Sequence, residues 1–142
     1  MLVDEFLATI AAMLHDTDDL EKDLGALARR YVRYVTRPRT LQLRRLVIGE
    51  AGRFPELARA YHERVPQRVL TALTGEFAHL TERGLLDTDD PRLAADHFPW
   101  LTLGAPMDRA MFLGADGAPR PAHLDRVADA AVRVFLSAYR PR

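Results

Sequence analysis

The sequence predicts an all-α fold, and three observations support that prediction. Apolar residues recur at spacings of three and four through most of the 142 residues, which is the period of a helix with one buried face. Prolines, glycines and aspartates fall between these periodic stretches, where helices begin and end. No stretch alternates apolar and polar residues as a half-buried β-strand does. Because 48% of the residues are hydrophobic, we expect one domain over residues 1–142 with a single core.

The first two helices are predicted from two apolar stripes. The first lies in residues 1–15 and begins without a Ser, Thr, Asp or Asn cap, as expected of a chain cut from a longer one. Asp18 is the expected N-cap of the second helix, because Glu21 follows three residues later. This helix is expected to end before Pro38. The stripes consist of Val3, Phe6, Leu7, Ile10, Met13 and Leu14, and of Leu20, Leu24, Leu27, Ala28, Tyr31, Val32 and Val35.

The longest amphipathic stretch covers residues 41–86 and is the expected scaffold of the fold. A third helix is predicted over residues 39–52, because its apolar residues again recur at helical spacing. The side chains expected to point inward from this helix are Leu43, Leu46, Val47 and Ala51.

A fourth helix is predicted to begin at Pro55, since a proline in the first turn of a helix costs no hydrogen bond. Its apolar face runs as far as Leu80, and Gly84 is the expected C-cap. Pro66 removes one backbone hydrogen bond inside this stretch. We therefore expect either a kink at Pro66 or two abutting helices.

Two more helices are predicted in the last third of the chain. The segment over residues 91–114 starts with an Asp-Pro pair that provides an N-cap and a first-turn proline, and we expect breaks at Pro99 and Pro106. The final helix covers residues 122–139. Its apolar stripe contains small residues that allow another helix to approach closely, and it is more apolar than one protomer needs. This pattern predicts a symmetric dimer contact.

Charge and composition disfavour several classes of function. The 20 basic and 20 acidic residues cancel, so the chain alone is not expected to bind nucleic acid or an anionic membrane. There is no cysteine, which excludes disulfides, thiolate metal sites and cysteine nucleophiles and favours a reducing, cytoplasmic location. No apolar run approaches the roughly 20 residues of a membrane span.

No constellation of residues predicts catalysis, a metal site or a cofactor site. His62 and Glu63 lack the second histidine of the zinc-protease motif. Ser137 is the sole serine, and no nucleophile-elbow glycines surround it. The sequence also lacks a glycine-rich phosphate loop. We therefore expect a protein that is not an enzyme and that holds neither a metal nor a cofactor.

Polar and aromatic side chains on apolar helix faces are the remaining indication of a function. Small-molecule pockets are apolar with a few polar groups. The residues predicted on this basis to bind a ligand are Tyr31, Arg45, Tyr61, His62, Phe77, Trp100 and Met107. The alternative is a filled core, in which aromatic rings are simply buried and their polar tips form hydrogen bonds. The sequence leaves both interpretations open.

Several short motifs resemble one protein family. The motifs are RLVIGEA at residues 45–51, RFPELA at 53–58, PQRVLTAL at 66–73, FPWL at 98–101, GAP at 104–106 and DRAM at 108–111. In this order and spacing they resemble the C-terminal domain of the TetR/AcrR family of transcriptional regulators, in particular its AefR-like branch. The resemblance covers nearly all of the chain.

The resemblance implies an orthogonal bundle of about six helices that senses an unidentified small hydrophobic effector and forms a homodimer. The last two helices of each protomer would pair as a four-helix bundle, through Leu101, Val127, Ala131, Val134, Phe135 and Ala138. In the family an N-terminal helix-turn-helix domain reads operator DNA, and this domain is missing from residues 1–142. The alternative function is a ligand-free helical dimerisation or interaction module.

Overall fold

Seven α-helices and one 3₁₀ turn make up residues 3–142, the part of the chain that the computed structural model describes. The helices are α1 (Val3–Leu14), α2 (Leu20–Val35), α3 (Pro38–Glu50), α4 (Pro55–Arg64), α5 (Pro66–Glu82), α6 (Pro91–Leu113) and α7 (Pro121–Tyr139), and the 3₁₀ turn is Gly114–Gly117. The all-α prediction is confirmed. Within the described residues, no helix is both long and apolar enough to cross a bilayer.

Prolines mark most of the helix starts. Each helix from α3 to α7 has a proline in its first turn, where the missing N–H would have had no partner inside the helix. Pro66 starts a new helix because Val65 leaves the helical conformation, with φ −121° and ψ −81°. The predicted fourth helix is therefore two abutting helices, which is why there are seven helices and not six.

One of the two predicted aspartate N-caps is confirmed and the other is wrong. Asp90 caps α6 as predicted, and its carboxylate accepts a hydrogen bond from the Leu93 N–H at 3.1 Å. The prediction that Asp18 caps α2 is wrong. The neighbouring Asp19 is the cap, and it accepts from the Lys22 N–H at 3.2 Å. The helix starts one residue later than the capping-box spacing indicated, so the cap moves by one residue as well.

The C-cap of α5 is Arg83, and the predicted C-cap, Gly84, is the next residue along the chain. The Gly84 φ of +77° lies in the left-handed region that favours glycine. Its N–H donates to the Thr81 carbonyl at 3.0 Å, and the Leu85 N–H donates to the Leu80 carbonyl at 2.9 Å. This pair of bonds satisfies carbonyls at the helix end that would otherwise be left free.

Aromatic rings form the centre of the core. The Phe98 ring on α6 lies 6.4 Å from Tyr31 on α2, 5.9 Å from Phe77 on α5 and 5.6 Å from Phe135 on α7, measured between centroids. Phe6 of α1 packs on Tyr31 at 4.8 Å. All four phenylalanines are fully buried. Five helices, α1, α2, α5, α6 and α7, thus share one core.

Helix α6 is continuous from Pro91 to Leu113, so the predicted breaks at Pro99 and Pro106 are wrong. A proline inside a helix costs about 3 kcal/mol or more through a lost hydrogen bond and a ring clash. The buried face of α6 offsets this cost along the whole helix, because it packs into the core on both sides of each proline. The buried residues are Ala94, Ala95, Phe98, Thr102, Leu103, Pro106, Met107 and Ala110.

Helices α3 and α4 lie outside the aromatic core. Helix α4 has no buried residue at all, and α3 buries only Leu41 and Val47. Leu43 and Leu46, which were predicted to point inward, are 49% and 60% exposed. That prediction is wrong because apolar residues surround α3 on all sides, so the spacing alone does not identify its inner face.

Two glycines provide a matched test of this backbone. Gly84→Ala should lower the free energy of unfolding by about 1–2 kcal/mol, because an L-residue is strained at positive φ. Gly75 lies inside α5 with open space where a Cβ would be, so Gly75→Ala should raise it by about 0.5–1 kcal/mol. Urea unfolding followed by circular dichroism measures both. Equal stability of the Gly84→Ala chain and the unchanged chain would contradict the strain expected of an alanine at this positive φ.

Candidate ligand-binding site

A cavity of about 520 Å³ lies between the α3–α4 layer and the core helices α2, α5 and α6. Helices α1 and α7 contribute nothing to its wall. Its lining residues are Tyr31, Tyr34, Val35, Thr40, Arg44, Val47, Ile48, Ala51, Ala58, Tyr61, His62, Val65, Pro66, Gln67, Val69, Leu70, Asp96, Pro99, Trp100, Leu103 and Met107. Most of these side chains are apolar or aromatic, as in sites for small organic molecules.

The depth and the rim of the cavity differ in exposure. Tyr31 and Met107 are 6% and 7% exposed, which places them in the interior wall. Trp100 is 62% exposed, and Ile48 and His62 are also exposed, so these three residues form the rim. Rings of the aromatic core pack behind the interior wall at Tyr31, which contacts Phe6 and Phe98.

Arg44 is the cation that lines the cavity from α3. Its Nε is shielded from solvent and has no hydrogen-bond partner among residues 3–142. The cavity also contains one carboxylate, Asp96 on α6. Arg44 and Asp96 do not form one of the ion pairs found within this range. A buried N–H without a partner costs free energy that an acceptor can recover.

Three tyrosines of the cavity have phenols that resist ionisation. Burial raises the pKa of Tyr31 well above its ordinary value, and the nearby charge of Arg44 offsets part of this rise. Burial also raises the pKa of Tyr61, which again lies within reach of Arg44. The pKa of Tyr34 is raised by burial and by its proximity to Tyr61. All three hydroxyls therefore remain neutral hydrogen-bond donors at physiological pH.

Comparison with known proteins identifies the family. Residues 22–141 match the C-terminal domain of the AefR-like transcriptional repressors. The chain belongs to this branch of the TetR family. A structure described as a TetR-family regulator from Mesorhizobium loti MAFF303099 has 38% identity and a TM-score of 0.91, over 97% of this chain and 68% of that one.

A second solved structure, the flavonoid-responsive regulator FrrA, has 25% identity and a TM-score of 0.72, over 99% of this chain and 74% of that one. No curated protein matches the chain at a significant level. The family assignment agrees with the resemblance of the sequence motifs. It also agrees with the all-helical fold, and the family consists of transcriptional regulators.

In this TetR-type fold, five of the seven residues predicted to bind a ligand line the cavity, namely Tyr31, Tyr61, His62, Trp100 and Met107. The other two lie elsewhere. Phe77 is fully buried between other rings of the core. The guanidinium of Arg45 lies against Gly114 at the end of α6, where a Cβ on that glycine would be 2.5 Å from Arg45 Nη1. A cation is stabilised there by the carboxyl end of the helix dipole.

Arg44 is the cation of the cavity lining that the sequence predictions missed, together with the polar residues Thr40, Gln67 and Asp96. The signal for Arg44 was present, because Thr40, Arg44, Val47 and Ala51 follow one another at spacings of three and four and all line the cavity. The prediction placed Leu43 and Leu46 on the inner face of α3, and Arg44 was therefore assigned to its polar side. The correct face is the one that contains the buried Val47.

The residues predicted for the dimer interface lie on two different faces. Leu101 and Val134 are 39% and 55% exposed, Ala138 is also exposed, and Val127 is half-buried. Ala131 and Phe135 are 4% and 0% exposed. These last two pack inside the protomer, so they are not available to a partner. The apolar residues predicted to form one stripe on α7 therefore lie on two faces, one in the core and one on the outer surface.

The buried phenol of Tyr31 predicts a loss of stability at alkaline pH. Its raised pKa means that, above about pH 10, the unfolded chain releases this proton before the folded chain does, so the free energy of unfolding falls as pH rises. Tyr31→Phe should reduce this decline by up to about 1.4 kcal/mol per pH unit. Tyr61→Phe should reduce it less, because Tyr61 is only half-buried. Urea unfolding across this range measures the slopes, and identical slopes for the unchanged and Tyr31→Phe chains would contradict the prediction.

Proposed function

We propose that this chain is the effector-sensing and dimerisation domain of a cytoplasmic TetR-family transcriptional regulator. In this proposal a small hydrophobic molecule binds the cavity and changes the conformation of a homodimer. Operator DNA is read by a helix-turn-helix domain that lies N-terminal to the residues described here. The observation that carries the proposal is the cavity itself, because a domain kept only for dimerisation has no need of such a space.

The size and lining of the cavity support an apolar, ring-containing effector. A volume of about 520 Å³ lies within the range of roughly 300–1,000 Å³ that is usual for small-molecule sites. The aromatic side chains of Tyr31, Tyr61 and Trp100 offer flat surfaces for stacking. One structural neighbour is described as flavonoid-responsive, which supports an aromatic compound as the effector of this chain too.

Helix α4 is the part of the cavity wall that can move with least cost. It has no buried residue, and it packs against α3 and α5 only. Both of its ends leave the helical conformation, at Phe54 and at Val65, so α4 can rotate without bending a continuous helix. An effector that fits one position of α4 better than another shifts the equilibrium by its differential affinity, usually about 1–3 kcal/mol.

The cavity is in direct contact with the helices that would transmit this change. Tyr31 and Tyr34 both pack on Phe6 of α1, with ring centroids 4.8 and 5.0 Å apart. In the proposal α1 follows the DNA-reading domain, so a displacement of these tyrosines reaches that domain through Phe6. Trp100 lines the cavity while the adjacent Leu101 is on the outer side of α6, so the same helix connects effector and partner.

The outer surfaces of α6 and α7 support a dimer interface. Both helices expose large apolar side chains, which a symmetric contact would bury. On α6 and α7 these are Leu93, Trp100, Leu101, Phe112, Leu113 and Val134. With Ala131 and Phe135 excluded, the proposed interface consists of Leu101, Val127, Val134 and Ala138 together with the other exposed residues of this surface.

Filling the cavity should abolish effector binding. Ala58 lines the cavity from α4, so Ala58→Phe places a ring inside it, whereas Ala60→Phe on the same helix does not. The neutral fluorescent probe phenylnaphthylamine should bind the unchanged chain and quench the emission of Trp100, the sole tryptophan, by energy transfer. We expect Ala58→Phe to weaken this binding at least about tenfold, since overpacking opposes entry of the probe, and Ala60→Phe to leave it unchanged. No quenching in the unchanged chain would favour the ligand-free dimerisation module.

Charging the outer surface of α7 should dissociate the dimer. Val134→Glu removes a valine whose full burial is worth about 1.5–3 kcal/mol, and symmetry applies the change twice. The dissociation constant measured by analytical ultracentrifugation should therefore rise at least about tenfold. Leu46→Glu is the matched control, because Leu46 is equally exposed but lies on α3. A native mass unaffected by Val134→Glu, or reduced equally by Leu46→Glu, would contradict this interface.

A further inference from the structure

We propose that the effector carries an acidic group and that Arg44 binds it inside the cavity. The proposed effector class is therefore an aromatic acid, such as a carboxylate, sulfonate or acidic phenol on a flat ring system. This inference rests on the effector-sensing function proposed above and adds the polar contact by which the cavity would recognise the effector.

The unpartnered Nε of Arg44 is the first observation that supports an anion. This nitrogen is covered by the surrounding protein, and no group of residues 3–142 accepts its proton. The residue as a whole is only half-buried and lines the cavity, so the two Nη groups are the part of the guanidinium that a bound anion can reach. A guanidinium presents its N–H groups in a planar fork that matches the two oxygens of a carboxylate or sulfonate. Hydrogen bonds between ionised groups of this kind are shorter and stronger than bonds between neutral groups.

The other polar groups of the cavity are also mostly donors. The hydroxyls of Tyr31, Tyr34 and Tyr61 stay protonated, because burial raises the pKa of each phenol. The Thr40 hydroxyl and the Gln67 amide can donate as well. Asp96 is the single carboxylate of the lining; it lies on α6 and forms no ion pair with Arg44. An acidic group is thus best accommodated at the Arg44 end, with the ring system over the apolar wall.

Neither of the other candidate cations can take this role. Arg45 lies against Gly114 at the end of α6, outside the cavity. His62 is exposed at the rim, where water competes for its hydrogen bonds. Arg44 is half-buried, and electrostatic attraction is stronger there than at the exposed rim.

Two fluorescent probes with the same ring skeleton test the inference in the unchanged chain. Phenylnaphthylamine is neutral, and anilinonaphthalene sulfonate is the same ring system with a sulfonate. Energy transfer from Trp100 reports that a probe is bound to the domain, and Ala58→Phe, which fills the cavity, identifies the part of that binding that takes place inside the cavity. A charged hydrogen bond is expected to make the sulfonate bind roughly 10- to 100-fold more tightly than the neutral probe.

Adjacent arginines provide the matched variants. Arg44→Gln should weaken sulfonate binding at least about tenfold and leave the neutral probe within about twofold, because only the sulfonate uses the guanidinium. Arg45→Gln removes the same charge one residue away and should change neither probe. Arg44→Lys retains the charge without the fork and should restore only part of the affinity. Thermal unfolding by circular dichroism identifies a variant that does not fold.

The outcomes separate this inference from the proposed function. If the neutral probe binds as tightly as the sulfonate in the unchanged chain, the acid specificity is overturned and the effector cavity stands. The same conclusion follows if Arg44→Gln and Arg45→Gln weaken the sulfonate equally, since that result indicates a general effect of charge. If neither probe receives energy from Trp100, the effector function is overturned together with the inference. The comparison of the two probes does not depend on any variant being folded.

Discussion

The packing of aromatic rings around Phe98 is the interaction on which the rest of the structure depends. This one side chain of α6 contacts Tyr31 of α2, Phe77 of α5 and Phe135 of α7. The rings hold these helices in place and fill the space between them. Helices α3 and α4 therefore have no room in the core and lie over its side. The cavity is the space between this outer layer and the aromatic core, so its buried inner wall and its exposed outer wall have a common cause.

Helix α6 connects the proposed effector site with the proposed interface because it remains unbroken. Its prolines remove hydrogen bonds without bending the chain away from the core, and Trp100 and Leu101 consequently stay on one rigid rod. Helix α7 is tied to the cavity from the other side by ion pairs with α2, Arg29–Asp129 at 2.7 Å and Arg33–Asp125 at 2.7 Å. Such exposed pairs are each worth about 1 kcal/mol or less, so they set the register of the two helices more than they stabilise the fold.

The sequence was sufficient to predict the core helices and their buried faces. It was insufficient to predict which face of an outer helix such as α3 is buried. Phe6, Phe98 and their neighbours recur at the helical period because one side of each helix is buried, and that signal identifies both the helix and its inner face. On α3, Leu46 and Val47 have the same apolar character but opposite exposure. Their environments are set by α4 and α6, which are distant in sequence. The same limit explains α7, where apolar residues on a core face and an outer face gave one continuous stripe.

Three residues that depart from local rules line the cavity. Arg44 points inward without a partner, Trp100 is largely exposed, and Pro99 lies inside a helix, and all three line the same space. A sequence selected only for stability would replace each of them, because each costs free energy that a leucine or alanine would not. Departures of this kind are expected where binding has been selected at the expense of stability. Pro106 and Phe112 depart from the same rules outside this lining, so the argument for a binding site is the combination of a cation, an indole and a proline around one space.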